Sequence, residues 1–153
     1  MQWNPHVTVA AVVERDSQFL LVQEDIAGRY VYNQPAGHLE RDETLLDAVR
    51  REVWEETGRR FTADYLLGVY LYSPEGGADT YLRFCFSGEC GERDPAAKLD
   101  TGIIQTVWMS QAQLQEQVGD LRTPLVTQCI DDYLSGKRYP LDLLRLPCGH
   151  RVA

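Results

Sequence analysis

A mixed β-sheet carrying helices on its faces, an α/β fold, is what the order of elements in this sequence predicts. Three observations lead there. The run 7–13 (VTVAAVV) is continuously apolar and rich in β-branched residues, as expected of a strand buried on both faces. An acid-dense segment at 44–58 carries helix start and stop signals. Two long apolar-aromatic runs, 65–72 (YLLGVYLY) and 80–86 (TYLRFCF), then precede two helical stretches. Strands, a helix, strands and helices in that order fit a layered α/β domain.

The elements between these landmarks follow from local chemistry. Residues 19–22 predict a second strand, with Asp16-Ser17-Gln18 as the turn before it. Residues 23–31 contain Gly28 and mixed charges and predict a loop, and 33–39 is a short extended piece leading to the acidic helix. Thr44 is the expected N-cap, Asp47 its capping-box partner, and Gly58 lies just past the end. The segment 73–79 (SPEGGAD), with proline and paired glycines, predicts the loop of an antiparallel strand pair. Residues 90–99 are polar and predict irregular structure. A strand at 103–109 follows, and Ser110 caps a short helix, QAQLQEQ. A last helix starts near Thr123-Pro124, is expected to bury Leu125, Val126, Ile130 and Leu134, and stops at Gly136. The tail from Pro147 is expected to be loose.

With 153 residues the natural expectation is one domain spanning 1–153, large enough to bury roughly two-thirds of its unfolded surface. A hydrophobic content of 44% and a charged content of 25% are those of a soluble globular chain. The formal net charge of −8 argues against binding a nucleic-acid polymer, which needs basic patches. Phosphorylated small molecules stay open, because a bound metal supplies positive charge locally. Cys85, Cys90, Cys129 and Cys148 show no paired spacing, and Cys148 near His150 lacks a second ligand pair, which argues against zinc. Buried, reduced thiols are expected instead. No run reaches membrane-span length and the first residues lack a secretory pattern, so the expectation is a cytoplasmic protein without a membrane partner. The acidic surface is compatible with a monomer.

The helix at 44–58 carries the chemistry. At roughly 100° per residue, with Glu52 at 0°, Glu55 falls near −60° and Glu56 near +40°. All three carboxylates therefore share one narrow face. Val49, Val53 and Leu46 form the adjoining apolar stripe, leaving Glu56 at the seam between the two. Like charges at this spacing each destabilise a helix by about 0.2–0.5 kcal/mol. Taken alone, three glutamates fit a solvated acidic face. A divalent cation would reverse the sign of the cluster, and hard oxygen ligands suit Mg²⁺, with Mn²⁺ as a substitute.

The full stretch reads Gly37, five residues, Glu43, seven residues, Arg51-Glu52-Val53, one residue, Glu55-Glu56, one residue, Gly58. This resembles the Nudix box, here 37–59, the signature of hydrolases that cleave phosphoanhydrides with Mg²⁺. One position departs: the residue after Gly58 is usually aliphatic and here is Arg59, with Phe61 expected to take over its packing. The resemblance implies an α/β/α sandwich. It also implies Glu52 and Glu56 as direct metal ligands, with Glu55 a third ligand or a holder of water on the metal. The Gly37 carbonyl would be a backbone ligand, and Arg51 and Glu43 would orient the carboxylates.

The general base is left between Asp100, the one acid in the stretch before Trp108, and Glu55, or activation by the metal alone. Glu89, Glu92 and Asp94 lie further upstream. His6 and His38 are candidate phosphate contacts or ordinary hydrogen-bonded histidines. Arg83, on the opposite face of its strand from Leu82 and Phe84, is a candidate substrate contact. Tyr32, Tyr70 and Tyr81 are candidates for stacking on a ring, or core residues.

The strings Pro5-His6-Val7-Thr8-Val9-Ala10, Asn33-Gln34-Pro35-Ala36-Gly37-His38-Leu39-Glu40, Leu82-Arg83-Phe84 and Ser135-Gly136-Lys137-Arg138-Tyr139-Pro140-Leu141 resemble the phosphatase NudJ subgroup of that family. That resemblance implies release of orthophosphate from nucleoside tri- and diphosphates, thiamine pyrophosphate and hydroxymethylpyrimidine pyrophosphate. Two alternatives stand beside it. One is a nucleotide or nucleotide-sugar pyrophosphohydrolase. The other is a non-catalytic binding module, which the retention of every glutamate in the box argues against.

Overall fold

In the computed structural model, residues 2–146 are described. Pro147, Cys148 and His150, and with them the expected loose tail, lie outside the described residues. Two sheets share the core. The first has the order β5-β1-β7-β6, built from β1 (His6–Val12), β5 (Ala36–His38), β6 (Phe61–Tyr72) and β7 (Tyr81–Cys90). It is mixed: β1 runs antiparallel to β5 and parallel to β7, and β7 antiparallel to β6. The second is antiparallel throughout, with β3 (Gln18–Ile26) pairing β2 (Glu14–Arg15), β4 (Arg29–Asn33) and β8 (Ile103–Ser110).

The apolar run of β1 is explained by what covers it. Val9, Ala11 and Val13 pack with Ala48, Val49 and Val53 of α1 (Leu45–Thr57). The alternate residues Ala10 and Val12 pack with Val126, Cys129 and Ile130 of α3 (Leu125–Leu134). A period of two in the strand thus serves two helices, one core on each face. This is the layered α/β arrangement expected of the sequence.

Helix α1 forms where its caps direct. Thr44 is extended (φ −81°, ψ 162°) and its hydroxyl accepts from the Asp47 backbone N–H, while the Asp47 carboxylate accepts from that of Thr44. Gly58 takes the left-handed conformation at φ 67°, its N–H reaching the Trp54 carbonyl at 2.8 Å. Phe61 enters the core beside α1. Arg59 is buried too, donating to the Gly91 carbonyl at 3.0 Å with its guanidinium over Trp108. Ser110 caps α2 (Gln111–Glu116) through a capping box with Gln113.

Two expectations are corrected. Residues 23–31 are not a loop: β3 continues to Ile26, turns at Ala27 and Gly28, both at positive φ, and returns as β4. The Asp25 carboxylate closes that turn by accepting from the Gly28 N–H at 2.8 Å. Leu134 is 46% exposed at the end of α3, and Cys129 takes the buried position expected of it. The thiols of Cys85, Cys90 and Cys129 are free and buried. Among the described residues no helix is long and apolar enough to cross a membrane.

Candidate active site

A cavity of about 590 Å³ opens between the acidic face of α1 and the ends of β1, β5 and β7. The chain is brought there by backbone contacts as much as by α1. The N–H of Asp94 donates to the Gly58 carbonyl and that of Asp100 to the Glu55 carbonyl, each at 2.9 Å, which ties the irregular segment before β8 to the end of the helix. Asp100 thereby joins Glu52 and Glu55, and the three carboxylates have oxygens within 4.8 Å of one another. Glu89, Glu92 and Asp94 do not line the cavity; Glu92 instead pairs with Arg15.

Arg51 holds one side of this cluster. It donates to Glu43, to Glu52 at 2.7 Å, to Glu55 at 3.1 Å, and to the His38 carbonyl at 2.9 Å. The hydrogen bond from Arg51 holds the Glu43 carboxyl below the ordinary range, and Glu43 in turn accepts from the Glu40 N–H. Two acids of the helix shift the other way from Glu43, both upward. Burial raises Glu52, against the pull of Arg51. Burial pushes Glu56 up to about 9, although the Ala36 N–H donates to it at 3.0 Å, and Glu24, Glu52 and Asp100 add repulsion.

Glu56 lines the same cavity but stands apart from the trio. Among the described residues it has no cationic partner. Gly37 lies under Glu52: a Cβ there would fall 2.1 Å from its carboxyl carbon, so no side chain fits unless Glu52 moves. Hard oxygen donors converging beside a buried carboxylate without a counter-charge suit a divalent cation, which Glu52, Glu55 and Asp100, with Glu56 and the Gly37 backbone alongside, could hold.

The remaining candidates divide. His38 lines the cavity, its pKa lowered by burial and by the neighbouring His6, whose ring nitrogen is 3.2 Å away. His6 itself stacks on Tyr81 and faces Asp79. Arg83 and Tyr81 line the cavity; Tyr70 does not, its hydroxyl being bonded to Asp132 behind β6, and Tyr32 packs against the core around α3. Two charged residues escaped the sequence reading. Glu24, 6% exposed, is paired through both oxygens with Arg122 at 2.9 Å, and Arg122 is placed by its N–H to the Tyr32 carbonyl. Continuing the strand period beyond Val22 would have put Glu24 on the face of Leu20 and Val22, which was the available signal.

Glu56 gives the site a pH signature. Below its usual value near 4.5, folded and unfolded chains both carry it protonated; above that the unfolded chain ionises while the folded one resists up to about 9. The stability this proton contributes is complete at acid pH and is lost as pH rises toward 9. Metal-free protein should therefore lose on the order of 5 kcal/mol relative to Glu56→Gln between pH 5 and 9. Thermal melts of both proteins in chelator check this, and a constant gap across that window refutes it.

Comparisons with known proteins fall on the same residues. The NUDIX domain family model matches residues 4–128. Phosphatase NudJ of Escherichia coli K12 is 41% identical over 143 residues, 93% of this chain and 92% of that one. A NUDIX hydrolase structure from Nitrosomonas europaea superposes with a TM-score of 0.92 at 49% identity, covering 95% of this chain and 99% of the other. A MutT protein from Methanosarcina mazei Go1 has a TM-score of 0.68 at 22% identity, covering 90% and 99%, a likeness of fold.

Proposed function

We propose, from the premise that this chain belongs to the NUDIX family and is a hydrolase of acid anhydrides, that it is a Mg²⁺-dependent phosphatase of the NudJ kind. Its substrates are small phosphorylated molecules. We assign it nucleoside tri- and diphosphates, thiamine pyrophosphate and hydroxymethylpyrimidine pyrophosphate, with orthophosphate as the product released. It acts as a single cytoplasmic domain and as a monomer. The observation that carries the reading is the likeness to phosphatase NudJ over nearly the whole of both chains.

We assign the roles as follows, with the geometry as support. Glu52, Glu55 and Asp100 would hold the cation, with Glu56 and the Gly37 carbonyl. When bound, it neutralises phosphoryl oxygens and lowers the pKa of water. Arg51 aims Glu52 and Glu55 by donating to both, and Glu43 keeps Arg51 in place. To Asp100 and Glu55 we assign the orientation of the attacking water and the acceptance of its proton, a reading supported by their position beside Glu52 in the cavity. His38 and Arg83 face the substrate's phosphates.

Product analysis tests this. Thiamine pyrophosphate, hydroxymethylpyrimidine pyrophosphate and a nucleoside triphosphate are each incubated with and without Mg²⁺, and orthophosphate and pyrophosphate are measured separately. Orthophosphate as first product, only with metal, is the expected result. Pyrophosphate and a monophosphate from the triphosphate would make the enzyme a pyrophosphohydrolase.

A further inference from the structure

The three arginines lining the cavity differ in what neutralises them. Arg51 is held by Glu43, Glu52 and Glu55, and Arg122 by both oxygens of Glu24. Arg83 has no carboxylate partner among the described residues. It donates through Nη1 to the side-chain oxygen of Gln34 at 3.1 Å, and its Nε–H is buried without an acceptor. The residue is only 7% exposed. A guanidinium withdrawn from water and left without counter-charge is unfavourable in a folded protein.

Two more polar atoms beside the same cavity are unmatched. Thr8 lies opposite Arg83 in the β1–β7 register, and its hydroxyl is buried without a partner. The side-chain oxygen of Asn33, at the end of β4, is buried in the same state. Thr8 and Asn33 are 6% and 4% exposed, and both line the cavity with Arg83. Folded proteins satisfy nearly all such groups, and three of the five orphans among the described residues belong to residues that line this one cavity.

We propose that Arg83 and Thr8, with Asn33 beside them, form an anion subsite that holds the phosphate staying with the leaving group, while the carboxylate cluster serves the phosphate that is removed. The subsite rests on the phosphatase reading given above. An oxyanion in the cavity supplies the Arg83 guanidinium with the counter-charge it lacks, and small rotations of the Arg83 and Thr8 side chains toward the cavity bring their buried N–H and O–H within its reach. The Asn33 amide, rotated about its terminal torsion, offers an N–H to the same oxygens. Gln34, itself buried, is a positioning residue: its oxygen fixes the Arg83 fork, and its nitrogen lies 3.8 Å from the Cys85 sulfur. Discrimination for a diphosphate ester then comes from two separate centres, one acidic and one basic.

Calorimetric binding tests this without turnover. The non-hydrolysable diphosphate α,β-methylene-ADP and the monophosphate AMP are titrated in Mg²⁺ into wild type, Arg83→Met and Thr8→Val. Arg83→Met is expected to weaken both ligands by about 10- to 100-fold, and Thr8→Val by about 3- to 10-fold, the range for charged and neutral hydrogen bonds. Ligand-free Arg83→Met is expected to melt no lower than wild type, because the unpaired charge is gone. A purely structural arginine would give the reverse, a lower melt with unchanged affinity, and that overturns the subsite. So does a diphosphate loss with AMP unaffected, which would put the terminal phosphate on Arg83. Should Arg83→Met fail to fold, an unchanged affinity in Thr8→Val is the overturning result. A protein that turns over none of the diphosphates yet binds the analogue through Arg83 removes the phosphatase assignment and keeps the subsite.

Discussion

Glu56→Gln is expected to lower Mg²⁺-dependent phosphohydrolysis by about 10³-fold while leaving the fold intact, since several kcal/mol of charge stabilisation is lost and each 1.36 kcal/mol is a factor of ten. The carboxylate is buried, carries no cationic partner among the described residues, and is held by a single backbone N–H from Ala36. That is a costly state for the protein alone. Glutamine keeps the shape and removes the charge, so the variant should be more stable than wild type in chelator at pH 8 and should lose the stabilisation that Mg²⁺ gives wild type. The paired measurement separates a metal residue from a packing residue, because the latter would lose stability and activity together. Undiminished turnover in Glu56→Gln would place the cation wholly on Glu52, Glu55 and Asp100, and Asp100→Asn would then be the variant to lose it.

What could be read from the sequence was what is encoded locally. The α1 helix is bounded by a capping box at Thr44 and Asp47 and by a left-handed Gly58, all within the segment itself. The spacing of its glutamates was therefore enough to place Glu52, Glu55 and Glu56 on one face. The β3–β4 hairpin was illegible for the opposite reason. Its turn puts Ala27, not glycine or asparagine, at the first positive-φ position, and its strands carry charges that look solvated one by one. Misreading that hairpin hid Glu24, whose burial is made tolerable by Arg122, a partner 98 residues away. Thr8 and Asn33 were missed likewise: a threonine in a β-branched run and an asparagine at a strand end look ordinary until register brings them to one cavity. Leu134 shows the limit of helical periodicity, since it was expected to be buried but, as the last residue of α3, is 46% exposed.

Gly37→Ala is expected to be the most disabling change of one methyl group. The alanine Cβ would lie 2.1 Å from the Glu52 carboxyl carbon and from its Oε1. The backbone cannot yield, so the end of the Glu52 side chain must, at the cost of its bond to Arg51. Glu52 is pinned by Arg51 at 2.7 Å, and the backbone of Gly37 is fixed in register with Val9 on β1. The carboxylate must therefore leave its place beside Glu55 and Asp100. A displacement of about 1 Å at a reacting centre costs on the order of 10²-fold in rate. Disturbing the orientation of a metal ligand costs about 10- to 100-fold in affinity. Turnover and calorimetric Mn²⁺ affinity should both fall by those factors, with about 1–3 kcal/mol of stability lost to overpacking. A double-mutant cycle isolates the cause. In a Glu52→Ala background the three nearest clashes are gone, so Gly37→Ala should then cost little further Mn²⁺ affinity. An undiminished penalty in that background would mean that the glycine is needed for its backbone alone, and that the contact with Glu52 is incidental.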